Sequence, residues 1–402
     1  MTRQRERGAT MVLVVVGLFA LIAVAGLAID TAHVLLNKSR LQSALDAAAL
    51  AGAKVLDQTG STAKATTAAG SVFTLNLAQY PELQNAVGAG VSLTTEYSAT
   101  LNPFSAGTTP AAFVRTSIAG FRTTMSLASV MGIASISVAG NAVAGPSPAV
   151  VQECNIIPVF VCGNAAAGAN GLYGYQANQV TALNQQSGAK VGPGNFGYIS
   201  IGGNGASTLR SNMAGNTTTC ASIGGSVTTK PGVNAGPVEQ GFNTRFNEYQ
   251  GPVSAAQYPP DVINSAAHQT NLTIDANGNA VQAGQIVTTA SQLTFNYADY
   301  QALVAAGTYD TQPLPTGTAA FGRRVMAAPV GDCSGLANGR SSVTVSGFIC
   351  VFLLQALSGA GKDAIYGQVI GQCEASGRPG AGSSVTGPHI IELYKSAGSP
   401  DS

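Results

Sequence analysis

Residues 7–56 read RGATMVLVVVGLFALIAVAGLAIDTAHVLLNKSRLQSALDAAALAGAKVL, and the fold follows from how this stretch partitions. From Ala9 to Ile29 there is no charge, and 12 of these 21 residues are Val, Leu, Ile or Phe. At ~0.3–0.6 kcal/mol each, those side chains favour bilayer insertion by roughly 4–7 kcal/mol. The length matches the ~20 residues needed to cross a hydrocarbon core. Arg3, Arg5 and Arg7 precede the run, offset in part by Glu6, while Lys38 and Arg40 follow only two to three turns beyond it. The excess of basic residues on the first side places the N-terminus in the cytoplasm and everything after Asp30 outside. A cleaved signal peptide is the rival, since Gly26 and Ala28 are small enough for a cleavage site. Its apolar region is normally ~7–15 residues, shorter than this one, so the run reads as an anchor. The expectation is a single-pass protein of the cytoplasmic (inner) membrane, with the lipid bilayer as its first partner and an extracytoplasmic C-terminal domain.

The helical pattern continues past the apolar run. From Asp30 to Leu56 there is no Pro and one Gly, Gly52. Leu41, Leu45, Ala48, Gly52 and Val55 recur at steps of four and three and share one face. Ser39, Ser43, Asp46 and Lys54 fall opposite, with Leu50 as the exception. The small side chains toward the C-terminal end would let another helix or a sheet come close. A helix over 9–56 would be about 70 Å long at ~1.5 Å per residue, half in lipid and half carrying an outer domain. Asp30, at the outer lipid boundary, reads as a wetted carboxylate that fixes the depth of the helix, or else as a charge partner for a neighbouring subunit.

Three separated elements of this stretch resemble the N-terminal region of the TadE/TadG-like proteins of bacterial Flp (Tad) pilus assembly. They are Arg7-Gly8-Ala9 before the run, Ala25-Gly26-Leu27-Ala28-Ile29-Asp30 at its end, and Leu41-Gln42 followed by Leu45-Asp46-Ala47-Ala48-Ala49-Leu50-Ala51-Gly52-Ala53. The resemblance implies a bitopic structural or assembly component, pseudopilin-like or minor pilin-like, whose N-terminal helix meets other pilus-assembly or pilin-like subunits. Prepilin-like members can carry Glu at the fifth position after the cleavage-site glycine. Here that residue is Leu13, so processing is not carried over. Larger TadG proteins can carry a D-x-S-x-S metal motif, which is absent here.

Beyond the helix the expected class is α+β. A pilin-like unit over 57–148 begins with a Thr/Ala/Gly-rich connection at 57–70. It continues with strands at 90–101 and Ala112–Ile118, a short helix at Phe121–Met131 and a strand at 133–144. Gly145-Pro146-Ser147-Pro148 reads as a linker. Residues 149–402 form a second, loop-rich α+β domain, with helices at Ala206–Ala214, Val238–Tyr249 and Tyr297–Ala306. Its strands are expected at Ile156–Val161, Tyr198–Ile201, Val343–Leu354 and His389–Tyr394, and Ser396–Ser402 as a frayed tail. Cys154, Cys162, Cys220, Cys333, Cys350 and Cys373 all fall here. An even number in an exported region, with no close CxxC pair, reads as disulfides rather than a metal site. Six cysteines allow fifteen pairings, and spacing does not choose among them.

Composition narrows the function classes. Of 402 residues only 9% are charged and the net charge is +1, which gives no basic surface for nucleic acid. Gly359-Ala360-Gly361-Lys362-Asp363 lacks the leading Gly and the Ser or Thr of a phosphate loop, so it reads as a turn. Gly192–Gly197 and Gly202–Gly205 read as turns that exploit positive φ. Gly331–Gly335 looks like a nucleophile turn, but Cys333 reads better as a disulfide partner. Ser61-Thr62-Ala63-Lys64 fits S-x-x-K without its companion elements. The histidines are His33, His268 and His389, too scattered for a zinc site or a catalytic base. No enzyme, cofactor or metal is expected. A second reading is a membrane-tethered module that binds envelope glycan or another surface polymer.

Overall fold

The computed structural model describes residues 3–81, 83–84, 92–164, 166–167, 171–184, 195–217, 219–232, 234–275, 277, 279–334, 339–358, 364–381 and 386–395. The expected tail, the 359–363 turn and the first part of the 192–197 turn lie outside these. The architecture is α+β, a long apolar N-terminal helix followed by sheet-rich structure with three disulfides. The chain divides into two compact units. One holds Met1–Leu56, Ser61–Gly145 and Glu392–Ser402, and the other Asp57–Gly60 and Pro146–Ile391.

In the first unit, helix α1 runs Arg3–Thr59 without a break. The 18-residue window that marks its apolar part has mean hydropathy 3.0 and is only 6% buried, so its Leu, Val and Ile side chains face outward. Past it, Leu41, Ala44, Leu45, Ala48, Ala49, Gly52, Ala53 and Leu56 are buried. Their spacing by three and four makes one continuous face.

A second helix, α2 (Thr62–Leu77), stands where a Thr/Ala/Gly-rich connection was expected. Ser61 caps it, accepting from the Lys64 amide at 3.4 Å, and Ala65, Ala69, Phe73 and Leu77 are buried at steps of four. Threonine lowers helix propensity by a few tenths of a kcal/mol per residue, too little to outweigh that buried stripe.

Strands β1 (Thr94–Ser98), β2 (Phe113–Thr124) and β3 (Ser135–Pro146) follow as an antiparallel meander. The last strand, Ile391–Tyr394, joins the free side of β3, so the order is β1-β2-β3-(391–394). The short helix expected over Phe121–Met131 is not formed. Phe121 and Thr123 are buried while Arg122 and Thr124 are exposed, a period of two that continues β2. A register shift between Ile118 and Phe121 accompanies positive φ at Gly120, which turns the strand's far half without ending its pairing. Only Ala128–Met131 coils, as one 3-10 turn at the hairpin tip.

The second unit is built on a five-stranded sheet in the order Val161–Cys162, Val325–Gly331, Gly347–Leu353, Tyr366–Ile370, Val180–Ala182. Every residue of Gly347–Leu353 is buried, because both faces are covered. Ile349, Val351 and Leu353 pack with Leu209, Met213, Val238 and Phe242. Phe348, Cys350 and Phe352 pack with Leu293, Phe295, Tyr300 and Val304. The helices are Ala206–Met213, Ala235–Phe242 and Tyr297–Ala306, with a 3-10 turn at Asn243–Phe246 where a longer helix was expected. The expected strand at Ile156–Val161 is largely reduced to single bridges, Ile156 to Ala327 and Val159 to Tyr198. Pro158 has no N–H to give a ladder.

Candidate functional site

The residues singled out in the long helix sort into an exposed apolar part and a packed part. Packing begins at Gly26 and Asp30, both buried. Asp30 is 2% exposed, and its carboxylate accepts three backbone N–H bonds from the β2–β3 hairpin tip: Ser126 at 3.1 Å, Leu127 at 2.9 Å and Ala128 at 2.6 Å. The reading of Asp30 as a wetted boundary residue is therefore corrected. It is the acceptor that closes the tip onto the helix. Gly26, one turn earlier, lies under Leu127: a Cβ added there would stand 3.0 Å from that residue's Cβ.

Farther along, Leu41 is 1% exposed. Gln42 Nε2 donates to Asp46 Oδ1 at 2.8 Å and to the Asn141 carbonyl of β3 at 2.9 Å. Burial raises the Asp46 carboxyl above its ordinary value, against the lowering effect of that Gln42 bond. The hydroxyl of Thr116 on β2 donates to the Leu45 carbonyl at 3.0 Å, and Gly140 on β3 comes against the Leu45 side chain. A Cβ at Gly52 would stand 3.3 Å from both Ala69 of α2 and Val114 of β2. Ala48 and Ala53 are buried, Ala47, Leu50 and Ala51 half-buried. The small-residue face is thus occupied by the chain's own sheet and second helix. Arg7 and Gly8 lie in the first turns of the helix, outside the described side chains.

In the second unit the six cysteines form three disulfides, Cys154–Cys220, Cys162–Cys333 and Cys350–Cys373. The nucleophile-like turn is accordingly spent on a disulfide, and Ser334 donates its hydroxyl to Asp332 at 2.7 Å. Ser61 of the S-x-x-K sequence is a helix cap. The three histidines are not brought together: His268 pairs with Asp310 at 2.9 Å and His389 with Asp57 at 3.0 Å.

A cleft of about 640 Å³ in this unit was not foreseen. Its lining includes Asp57, Arg245, Tyr297, Arg323, Glu374 and His389. Arg245 is fully buried, and its Nε and Nη2 make no hydrogen bond among the described residues. Burial, and then the like charge of Arg323, holds its guanidinium well below the ordinary arginine range. Behind the wall, Arg324 is also fully buried but is satisfied by the carbonyls of Leu353, Ile263, His268 and Leu354 and stacked on Phe352. Asp261 accepts from the Arg324 amide and the Tyr300 hydroxyl. Isolated Arg and Asp in a Gly-rich sequence carry no spacing that announces such a cluster.

The class these features define is a chain with, among the described residues, one helix apolar and long enough to cross a membrane, a small antiparallel sheet packed on that helix's C-terminal half, and a disulfide-bonded α+β unit. Residues 8–55 match the Tad family model, Flp pilus-assembly TadE/G-like. The match covers the apolar run, Gly26, Asp30 and the small-residue face, and together with the helix it supports a pilus-associated membrane component. No curated protein and no solved structure matches the chain.

Proposed function

We propose that this protein is a membrane-anchored structural or assembly component of a Tad/Flp-type pilus apparatus, pseudopilin-like or minor pilin-like. The observation that carries the reading is the coincidence of the family match over residues 8–55 with a helix whose apolar part is left uncovered by the rest of the chain. Since the small-residue face is filled from within, the surface free to meet other pilin-like helices is residues 11–25, residues 27–29 and the exposed Leu35 and Leu36. The N-terminus lies in the cytoplasm and the larger units outside it. The basic residues before the run support that orientation, as do three disulfides, which persist in oxidising compartments. The partition 1–56, 57–148 and 149–402 separates anchor, pilin-like unit and extracytoplasmic domain. Deletion of the gene should abolish pili or leave stalled assembly intermediates. Unchanged pili and intermediates would remove the proposal. Fractionation with membrane-impermeant thiol labelling after reduction, on intact cells, checks the orientation.

A second reading, a tethered module for envelope glycan or another surface polymer, is favoured by the polar cleft and by Arg245, whose Nη1 donates to the Met213 carbonyl while Nε and Nη2 have no partner among the described residues. Retention of the full-length protein on immobilised peptidoglycan, lost in Arg323→Ala, supports it. No retention of the wild type eliminates it.

A further inference from the structure

We infer that the tip of the β2–β3 hairpin, residues 125–136, is a second membrane contact: it docks on α1 through Asp30 and dips its apolar side chains into the outer face of the same bilayer. The inference rests on the reading of α1 as a membrane span. It starts from depth. Leu127 packs on Gly26, which lies three residues inside the end of the uncharged run at Ile29. At ~1.5 Å per residue that is about 4–5 Å below the boundary, at the shallow edge of the ~5–10 Å to which interfacial segments sink. If the run spans the bilayer, the tip has no aqueous place to be.

The chemistry of the tip suits that place. From Thr123 through Gln152 there is no charged side chain. Leu127, Ile133 and Ile136 are exposed at 44%, 46% and 40%, whereas Phe121, Met125 and Ala128 behind them are buried. Outside α1, the first unit exposes two other large aliphatics among its described residues, Leu75 and Leu393, and they are far apart along the chain. Unpaired backbone donors are costly near hydrocarbon, and here Asp30 accepts the amides of Ser126, Leu127 and Ala128. The Met125 and Ile133 amides bond to the Ala134 and Ala128 carbonyls. Arg122, exposed just behind the tip, stands where a cation meets lipid phosphate. Asp30 thus serves as a depth gauge by a route other than wetting: it ties a second apolar element to the helix at one level.

The chain contains no tryptophan, so a single introduced indole reports its own surroundings. The full-length protein is reconstituted into phosphatidylethanolamine–phosphatidylglycerol vesicles doped with lipids brominated near the headgroup or deep in the acyl chain. Three variants are compared: Ile133→Trp at the tip, Leu18→Trp in the span and Leu75→Trp on α2. The expected result is blue-shifted emission from the tip indole, quenched mainly by shallow bromine, with deep quenching at position 18 and neither at 75. Solvent-like emission at 133 with deep quenching at 18 would overturn the inference and leave the span intact. Blue-shifted but unquenched emission at 133 would mean that protein, not lipid, covers the tip, and would overturn it equally. Absence of deep quenching at 18 would bring down the membrane reading, and the inference with it. In the Asp30→Ala, Ile133→Trp double variant the shallow quenching should be lost; its survival would remove Asp30 from the mechanism.

Discussion

Asp30 and Glu153 are both buried carboxylates, yet they do different work. Asp30 spreads three N–H bonds over both oxygens and joins two elements. Replacing it with Ala should leave α1 intact and speed amide exchange at Ser126–Ala128 selectively, which hydrogen exchange with fragment resolution detects. Glu153 accepts the Cys154, Asn155 and Ser376 amides on Oε1 alone, while Oε2 has no partner among the described residues. Burial raises its carboxyl above the ordinary value, outweighing those three bonds. A folded carboxyl with a raised value binds its proton more tightly than the unfolded chain does. Its contribution is therefore most favourable below the unfolded value and declines as pH rises from there through the folded one. Urea midpoints of the wild type should fall over that window, upward from about pH 4. The slope should flatten in Glu153→Gln, which keeps the acceptor and drops the charge.

Among the elements, α1 asks most of Gly52. A Cβ there already meets Ala69 and Val114 at 3.3 Å, so Gly52→Leu must push α2 and β2 away together. Overpacking of this kind costs about 1–3 kcal/mol, and thermal unfolding in detergent should show it as a lowered midpoint. Gly17, where an added Cβ meets nothing within 4 Å, takes the same substitution without loss. The elements differ in how plainly they were written. Tyr297–Ala306 begins at Asn296, whose side chain accepts from Ala298 and Asp299, and ends at Gly307 with positive φ. These are start and stop signals that a local reading finds. For α2 the start signal, Ser61, and the stripe Ala65, Ala69, Phe73, Leu77 were both present, but threonine-rich composition concealed them. The far half of β2 could not be found that way, since Phe121, Met125 and Leu127 fit a helical face as well as a strand. Pairing of Phe121 with Val138 and Thr123 with Ile136 decides it.

At the scale of the whole molecule the disulfides govern stability in the second unit. Cys162–Cys333 closes 171 residues and Cys154–Cys220 closes 66, while Cys350–Cys373 closes 23. A bridge restrains the unfolded chain, and each is worth about 2–4 kcal/mol. Reduction should therefore lower the calorimetric transition of this unit by many degrees. The first unit holds no cysteine, so its amide-exchange protection should persist. Parallel loss of protection in both would refute independent stabilisation.

The long apolar helix, its small-residue face, the mixed helix and strand content and the oxidised cysteines were all legible along the chain, because each rests on local spacing or on side-chain type. Which cysteine meets which, what Asp30 grips 96 residues away, the gathering of Arg245, Arg323 and Arg324, and the return of 391–394 to the first sheet were not. Those depend on which of many possible loop closures buries the most surface while leaving the fewest polar groups unpaired, and that balance exists only once the chain has come together.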